Sequence, residues 1–252
     1  MNNVLLIVAS GKSSRFGGFP KAFCDINGKT NVENTILKAK KYVDKIYVGV
    51  NKKVYEQYNS KVKGCDLFSI KTGQGDAHSL LKCLKYIRKK ESNIEKVLVC
   101  WGDAVFISSK PFEELLQYPG NVQVACSVDI HPYAWFDMVE NNVIVKSHFA
   151  KEDGDVEEGM HDQSIFYFDI NFTIKHLENY RDTLMIFDDN DEEVSDINEM
   201  KLLSFFEYLY SCKCPAKCIE ITKNQVLSFN TQFELDNIKR IMNKNKEDVF
   251  NV

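Results

Sequence analysis

Two kinds of apolar spacing alternate along the first half of the chain. Val4-Leu5-Leu6-Ile7-Val8-Ala9 is an unbroken apolar run, the pattern of a strand buried on both faces. Val32, Ile36, Ala39 and Val43 then recur at helical spacing, residues 46–50 read as a strand, and Ala77, Leu80, Leu81, Leu84 and Ile87 mark a second helix. Residues 97–101 read as a strand, Pro111 after Ser109 opens a helical run over 112–116, and 122–128 form another strand. This βαβαβαβ order predicts a three-layer α/β/α architecture with a mostly parallel sheet and helices on both faces.

The pattern changes after about residue 130. Glu140-Asn141-Asn142 interrupts short β-rich runs over 136–145, which predicts a hairpin. Residues 164–168 and 218–222 read as strands and 200–210 as a helix, with acidic loops at 153–158 and 188–193. Thr231-Gln232-Phe233-Glu234 has the form of a capping box, followed by Leu235, Ile238, Ile241 and Met242 at helical spacing. The polar stretch 243–252 is expected to fray. Repeats, low-complexity tracts and Pro- or Gly-rich linkers are absent, so one domain over 1–252 is the simplest organisation.

Composition narrows the class. With 44% hydrophobic and 27% charged residues and a net charge of -4, the chain reads as a soluble globular protein without a nucleic-acid-binding face. The basic runs at 38–45 and 88–90 fall on predicted helices and read as solvated faces. Neither a leader peptide nor an 18-residue apolar span is visible, and eight scattered cysteines suit a cytoplasmic enzyme with free thiols. Cys212, Cys214 and Cys218 lack a fourth ligand at zinc-site spacing and read as incidental. The sequence leaves a homo-oligomer open.

The candidate chemistry begins where the first strand ends. Ser10-Gly11-Lys12-Ser13-Ser14-Arg15-Phe16-Gly17-Gly18-Phe19-Pro20-Lys21 is a Gly/Ser-rich, basic loop. Glycine lets backbone N–H groups approach phosphate oxygens, and Arg15 and Lys21 supply positive charge for a polyphosphate. Neither a P-loop nor a G-x-G-x-x-G fingerprint is present. Trp101-Gly102-Asp103 closes a predicted strand, where a carboxylate can hold Mg²⁺ against a triphosphate. Gly73-Gln74-Gly75-Asp76-Ala77-His78 is a glycine-rich entry to a helix, with His78 read as a helix-face histidine.

The opening loop resembles that of the nucleotidyltransferases that make nucleotide sugars and related activated compounds, including molybdenum-cofactor guanylyltransferases. Ser10 to Gly17 with Pro20-Lys21 carries the likeness, Asp103 matches the family's metal aspartate, and Asn230 in Ser228-Phe229-Asn230-Thr231-Gln232-Phe233-Glu234-Leu235 matches its second metal ligand. Gly73, Gly75 and Ala77 match the base-recognition segment, where Gln74 replaces the usual Thr and Asp76 is atypical.

The resemblance implies a Rossmann-like nucleotidyltransferase fold of the glycosyltransferase-A type, with a nucleotide-binding half over about 1–128 and an acceptor-binding half over about 129–252. Implied as catalytic are Arg15 and Lys21, and as nucleotide-binding Ala9, Ser10, Gly11, Lys12, Ser13, Arg15, Lys21, Gly73, Gln74, Gly75, Asp76, Ala77 and Gly102. Asp103 and Asn230 are implied to hold Mg²⁺, and Asp162, Gln163 and Lys146 to meet the acceptor. The implied reaction moves an NMP from an NTP, with CTP or UTP favoured, to a small phosphorylated acceptor such as a sugar 1-phosphate, and releases pyrophosphate. Nucleotide-sugar biosynthesis, including capsule or surface polysaccharide biosynthesis, is the implied setting.

Two other classes stay open. A glycosyltransferase of related fold would use D-x-D strings such as Asp153-Gly154-Asp155 or Asp189-Asn190-Asp191 for its metal. A non-catalytic nucleotide-sensing subunit would bind NTP without turnover.

Overall fold

The computed structural model describes residues 3–11, 13, 16–71, 74–185 and 199–250, the side chains of 245–250 excepted. In chain order the elements are β1 (Val4–Ala9), a 3-10 turn (Lys21–Phe23), β2 (Asp25–Ile26), β3 (Lys29–Thr30), α1 (Asn31–Ala39), β4 (Lys45–Val50), α2 (Lys52–Tyr58), β5 (Asp66–Ser69) and α3 (Asp76–Lys90). There follow β6 (Lys96–Trp101), β7 (Val105–Phe106), α4 (Lys110–Leu116), β8 (Val122–Ile130), β9 (Ala134–Val139), β10 (Val143–Phe149), α5 (Ala150–Asp153) and β11 (Glu158–Asp169). The chain ends in α6 (Ile170–Thr183), α7 (Leu202–Ser211), β12 (Lys217–Glu220), β13 (Val226–Leu227) and α8 (Gln232–Phe250).

Among the described residues nine strands form one sheet in the order β5-β4-β1-β6-β11-β8-β12-β10-β9. β5, β4, β1 and β6 are parallel neighbours, and β8 pairs in parallel with β12. β11 and β10 run against the rest, so the sheet is mostly parallel in strand direction. The alternation of β1 decides the layers. Leu5 and Ile7 pack with the buried faces of α1, α2 and α4, while Val4, Leu6 and Val8 pack with α3, α6 and α7. Burial on both faces explains the unbroken apolar run that marks β1.

Chain order places β6 and β8 in succession, but the structure inserts β11 antiparallel between them. Ile165, Phe166 and Phe168 are fully buried there, and a bulge between Asp162 and Phe166 puts Ser164 at φ 58°. The hairpin predicted over 136–145 is β9–β10, turning through Asn141 and Asn142 at positive φ, a conformation asparagine tolerates. The stretch from Asn243 onward differs from expectation. It continues α8 to Phe250, because no Gly or Pro interrupts the backbone ladder. Among the described residues no helix is long and apolar enough to cross a membrane.

A small satellite core ties the two ends of the chain together. Cys24, Ile26, Val105, Phe229, Leu235 and Ile238 cluster, with Phe16 edge-on to Phe229 at 5.4 Å. Within it β7 and β13 pair, Val105 with Leu227 and Phe106 with Val226. That ribbon brings the residues just after β6 against those just before α8.

Candidate active site

The centre of the site is one ammonium group. Lys21 Nζ donates to Asp103 Oδ2 and to Asn230 Oδ1, each at 2.8 Å. These three residues lie 82 and 209 positions apart in sequence. Each is fixed by its own local logic. Lys21 opens the 3-10 turn after Pro20, anchored by buried Ala22 and Phe23, and its ammonium lies 5.9 Å from the Phe229 ring centre. Asp103 follows β6 in a turn held by Asn31, whose Nδ2 donates to Gly102 O at 3.0 Å and to Ala104 O at 2.9 Å. Asn31 is buried at the start of α1, behind a complete Thr30–Glu33 capping box. Asn230 follows buried Phe229, and the capping box predicted from sequence is formed. Glu234 accepts from the N–H groups of Asn230 and Thr231, while Glu234 N–H donates to Thr231 Oγ1 at 3.3 Å.

Around this centre lies a cleft of about 500 Å³ at the C-terminal ends of β1 and β6, where open α/β sheets take ligands. Ala9, Ser10, Gly11, Ser13, Lys21, Gly75, Asp76, Gly102 and Asp103 border it. Gly102 is there because nothing larger fits. A Cβ would stand 2.7 Å from Ala9 Cβ and 3.0 Å from Ala22 Cβ. Ser13 carbonyl accepts from the N–H groups of Phe16 and Gly18, curling the loop back, with Gly17 and Gly18 at positive φ. Lys12, Ser14, Arg15 and Gly73 lie outside the described residues, as does Asp189-Asn190-Asp191.

The far wall is built from the start of α3. Gly75 has φ 106° and packs on the backbone of Met200, where a Cβ would meet Met200 O at 2.4 Å. Asp76 Oδ1 accepts from Ala77 N–H at 2.7 Å and from Leu202 N–H at 2.8 Å, linking α3 to α7. Gln74 and Ala77 stand in the same turn without bordering the cleft. His78 is buried, and its Nδ1 accepts from Gln74 N–H at 3.0 Å, so it shapes the loop from within the helix face. Asp76 keeps contact with solvent inside the cleft. Crowding by protein atoms, outweighing its two backbone hydrogen bonds and assisted by Glu199 and Asp162, pushes its carboxyl up from 3.8 to about 6.

Tyr133 also borders the cleft and was not singled out by the sequence, since it sits in a short connection with no motif. The residue is largely exposed. The carboxylate of Asp162, then crowding, then Asp76 and Asp103, hold its phenol well above the usual range. Beyond Tyr133 is a second cavity of about 230 Å³, which Asp162 and Gln163 border. Lys146 does not join them. It is exposed on β10 opposite Asp137 and borders neither cavity. Asp153-Gly154-Asp155 borders neither cavity as well, and Asp153 Oδ2 accepts from Phe149 N–H at 2.9 Å.

Comparison with known families now decides the class. The MobA-like NTP transferase domain matches residues 5–143. The chain belongs to that family. It is therefore an enzyme of the nucleotidyltransferase type, built on the fold its first motif resembles. Two solved structures share the architecture over nearly the full length. The inositol-1-phosphate CTP transferase from T. maritima superposes with a TM-score of 0.68 at 18% identity, over 98% of this chain and 97% of that one. The CTP:phosphocholine cytidylyltransferase LicC from Streptococcus pneumoniae superposes with a TM-score of 0.69 at 12% identity, over 96% of this chain and 100% of that one. At such identities the likeness is one of fold. No curated protein sequence matches the chain.

Proposed function

We propose that this NTP transferase moves a nucleoside monophosphate from CTP, or less readily UTP, onto a small phosphorylated acceptor and releases pyrophosphate. The observation that carries the reading is the shared grip of Asp103 and Asn230 on the Lys21 ammonium, beside the glycine-rich loop. Two hard oxygen donors already bracket a positive charge, which is the donor chemistry that Mg²⁺ favours. A magnesium ion held by Asp103 and Asn230 would neutralise phosphate charge, with waters and phosphate oxygens completing its shell.

The chemistry asks little covalent work of the protein. An oxygen of the acceptor's phosphate forms a bond to the α-phosphorus as the bond from that phosphorus to its β-bridging oxygen breaks, and pyrophosphate leaves with the electron pair. The attacking oxygen is already anionic, so no protein base is required. Lys21 turns its ammonium to the phosphate chain, and backbone N–H groups of the loop orient it. Arg15 adds a second positive charge in this reading, with Lys12 and Gly73 beside the phosphates and base.

Asp76 favours CTP. A carboxylate exposed in the cleft accepts from an exocyclic amine such as that of cytosine, whereas uracil presents a carbonyl in the same place. The acceptor binds beyond Tyr133, against Asp162 and Gln163. Inositol phosphate and phosphocholine, the acceptors named for the two structural neighbours, set the size range. Synthesis of activated precursors for surface polymers is one setting for such a product.

The test is a matrix of four NTPs against small phosphate esters with Mg²⁺, read by mass for a product equal to NMP plus acceptor. A product from CTP together with pyrophosphate supports the reading. Sugar transfer from a nucleotide sugar, with no product from any NTP, overturns it.

A further inference from the structure

The Cys212-Lys213-Cys214 string lies at the C-terminal end of α7 and borders neither cavity. Of the chain's eight cysteines, Cys212 alone is exposed, Cys65 and Cys214 are half-buried, and the rest are buried. α7 closes on a Schellman motif. Cys214 N–H donates to Leu209 O at 3.1 Å and Lys213 N–H to Tyr210 O at 2.9 Å, with Lys213 at φ 60°, where glycine is usual. Consecutive Cα atoms are about 3.8 Å apart, so this bend at Lys213 puts the Cα atoms of Cys212 and Cys214 about 5–6 Å apart, within the span of a disulfide.

The surroundings give the two thiols different parts. Burial, then a hydrogen bond with the Cys212 thiol, pushes the Tyr208 phenol up to about 12, so it stays protonated beside the exposed sulfur. Burial, then the charge of Cys212, holds the Cys214 thiol above its usual range, so it waits protonated. Cys214 Sγ stands 4.0 Å from His176 Nε2 on α6. Burial, then Lys175, holds that imidazole below its usual range, so at neutral pH it is uncharged and able to take a proton. The other thiols do not compete. Cys218 is buried and hydrogen-bonded with Cys126, and Cys65 packs on the opposite face of the sheet from Cys214.

We propose that Cys212 and Cys214 form a reversible thiol-oxidation site, in which Cys212 is the sulfur that a hydroperoxide reaches and Cys214 resolves it to an internal disulfide. With hydrogen peroxide, the Cys212 sulfur bonds to one oxygen as the O–O bond breaks, and the other oxygen leaves as water with the thiol's proton. The Cys214 sulfur then attacks the sulfenic sulfur of Cys212, the S–O bond breaks, and a second water leaves with the Cys214 proton, passed through His176. Two thiols lose two electrons and one peroxide gains them. The site is independent of the nucleotidyl-transfer reading.

The test treats the reduced full chain with a small excess of hydrogen peroxide, alkylates the remaining thiols in denaturant and weighs the tryptic peptides. Trypsin cuts after Lys213, between the two cysteines. The disulfide should therefore leave peptides 202–213 and 214–217 joined, about 2 Da lighter than the reduced pair, until dithiothreitol separates them. The other six cysteines should be alkylated. Cys214→Ser should trap the Cys212 sulfenic acid, which dimedone labels, and Cys212→Ser should leave Cys214 alkylated, both variants keeping the circular dichroism of the parent. Alkylation of both cysteines after peroxide overturns the proposal. So does oxidation of Cys65 ahead of Cys212, a disulfide from Cys212 to a second chain, or Cys212 passing to sulfinic acid while Cys214 stays alkylated.

Discussion

Replacing Lys21 by methionine should have opposite effects on metal binding and on turnover. In the free protein the ammonium sits 2.8 Å from both Asp103 Oδ2 and Asn230 Oδ1. It therefore occupies the two oxygens a divalent cation would take. The side chains are 13% and 30% exposed for Lys21 and Asp103, between a surface pair and a buried one. Coulomb attraction at this separation is about 6 kcal/mol for an effective dielectric constant of ~20. Desolvation and side-chain ordering cancel most of it, leaving about 1 to 2 kcal/mol net. A metal entering the wild type without nucleotide must displace that contact; in Lys21→Met it need not. Mn²⁺, followed by electron paramagnetic resonance on nucleotide-free protein, should bind the variant about five- to thirtyfold more tightly. Turnover should fall by about 10²-fold or more, because a preorganised charge opposite the phosphates is gone. Unchanged or weaker Mn²⁺ binding in a folded variant would refute the idea that the ammonium holds the metal's place.

Three further outcomes follow from the same geometry. Gly102→Ala places a Cβ 2.7 Å from Ala9 Cβ at the cleft floor; overpacking of about 1–3 kcal/mol should lower the urea midpoint, and nucleotide affinity should drop with it. Asn31→Leu leaves the carbonyls of Gly102 and Ala104 without their donor; stability should fall by about 1–3 kcal/mol, with kcat falling beyond what residual folding explains, since Asp103 lies between those carbonyls. Asp76→Asn keeps an oxygen for Ala77 and Leu202 but removes a charge whose folded pKa is raised from 3.8 to about 6. The native state then binds the extra proton, so ionisation costs wild-type stability as pH rises from about 4 to 6. The variant should be the more stable above pH 6 in thermal melts, with the difference vanishing below pH 4, and a pH-independent difference would remove the assignment.

Much of this site is legible in the sequence because each part sits at the end of an element with a strong local signature. β1 is an unbroken apolar run, Asp103 closes another, and Asn230 precedes a capping box that the structure forms. What the sequence does not reveal depends on pairing across long separations. The insertion of β11 between β6 and β8 follows from its burial on both faces, Phe166 and Phe168 on one and Ile165 and Tyr167 on the other, and no local period encodes which strands it pairs with. The bulge at Ser164 beside Asp162 has no sequence signature, and Tyr133 borders the cleft only because the connection from β8 to β9 passes there. Lys146 shows the converse. Its position in sequence suggested an acceptor contact, but β10 is next to last in the sheet and carries it away from both cavities. α2 and β5 are short and only partly apolar, too weak a pattern to read without the parallel partner β4.

The claim that matters most is that Asp103 and Asn230, far apart in sequence, form one metal–triphosphate site with Lys21. Pyrophosphate release in a single turnover, with CTP, a small phosphate ester and Mg²⁺ titrated from zero, tests it most directly in wild type, Asp103→Ala and Asn230→Ala. Mg²⁺-dependent release is expected in wild type and a loss of about 10²-fold or more in each variant, both folded by circular dichroism. Wild-type rates in either variant, or release that ignores Mg²⁺, would contradict it.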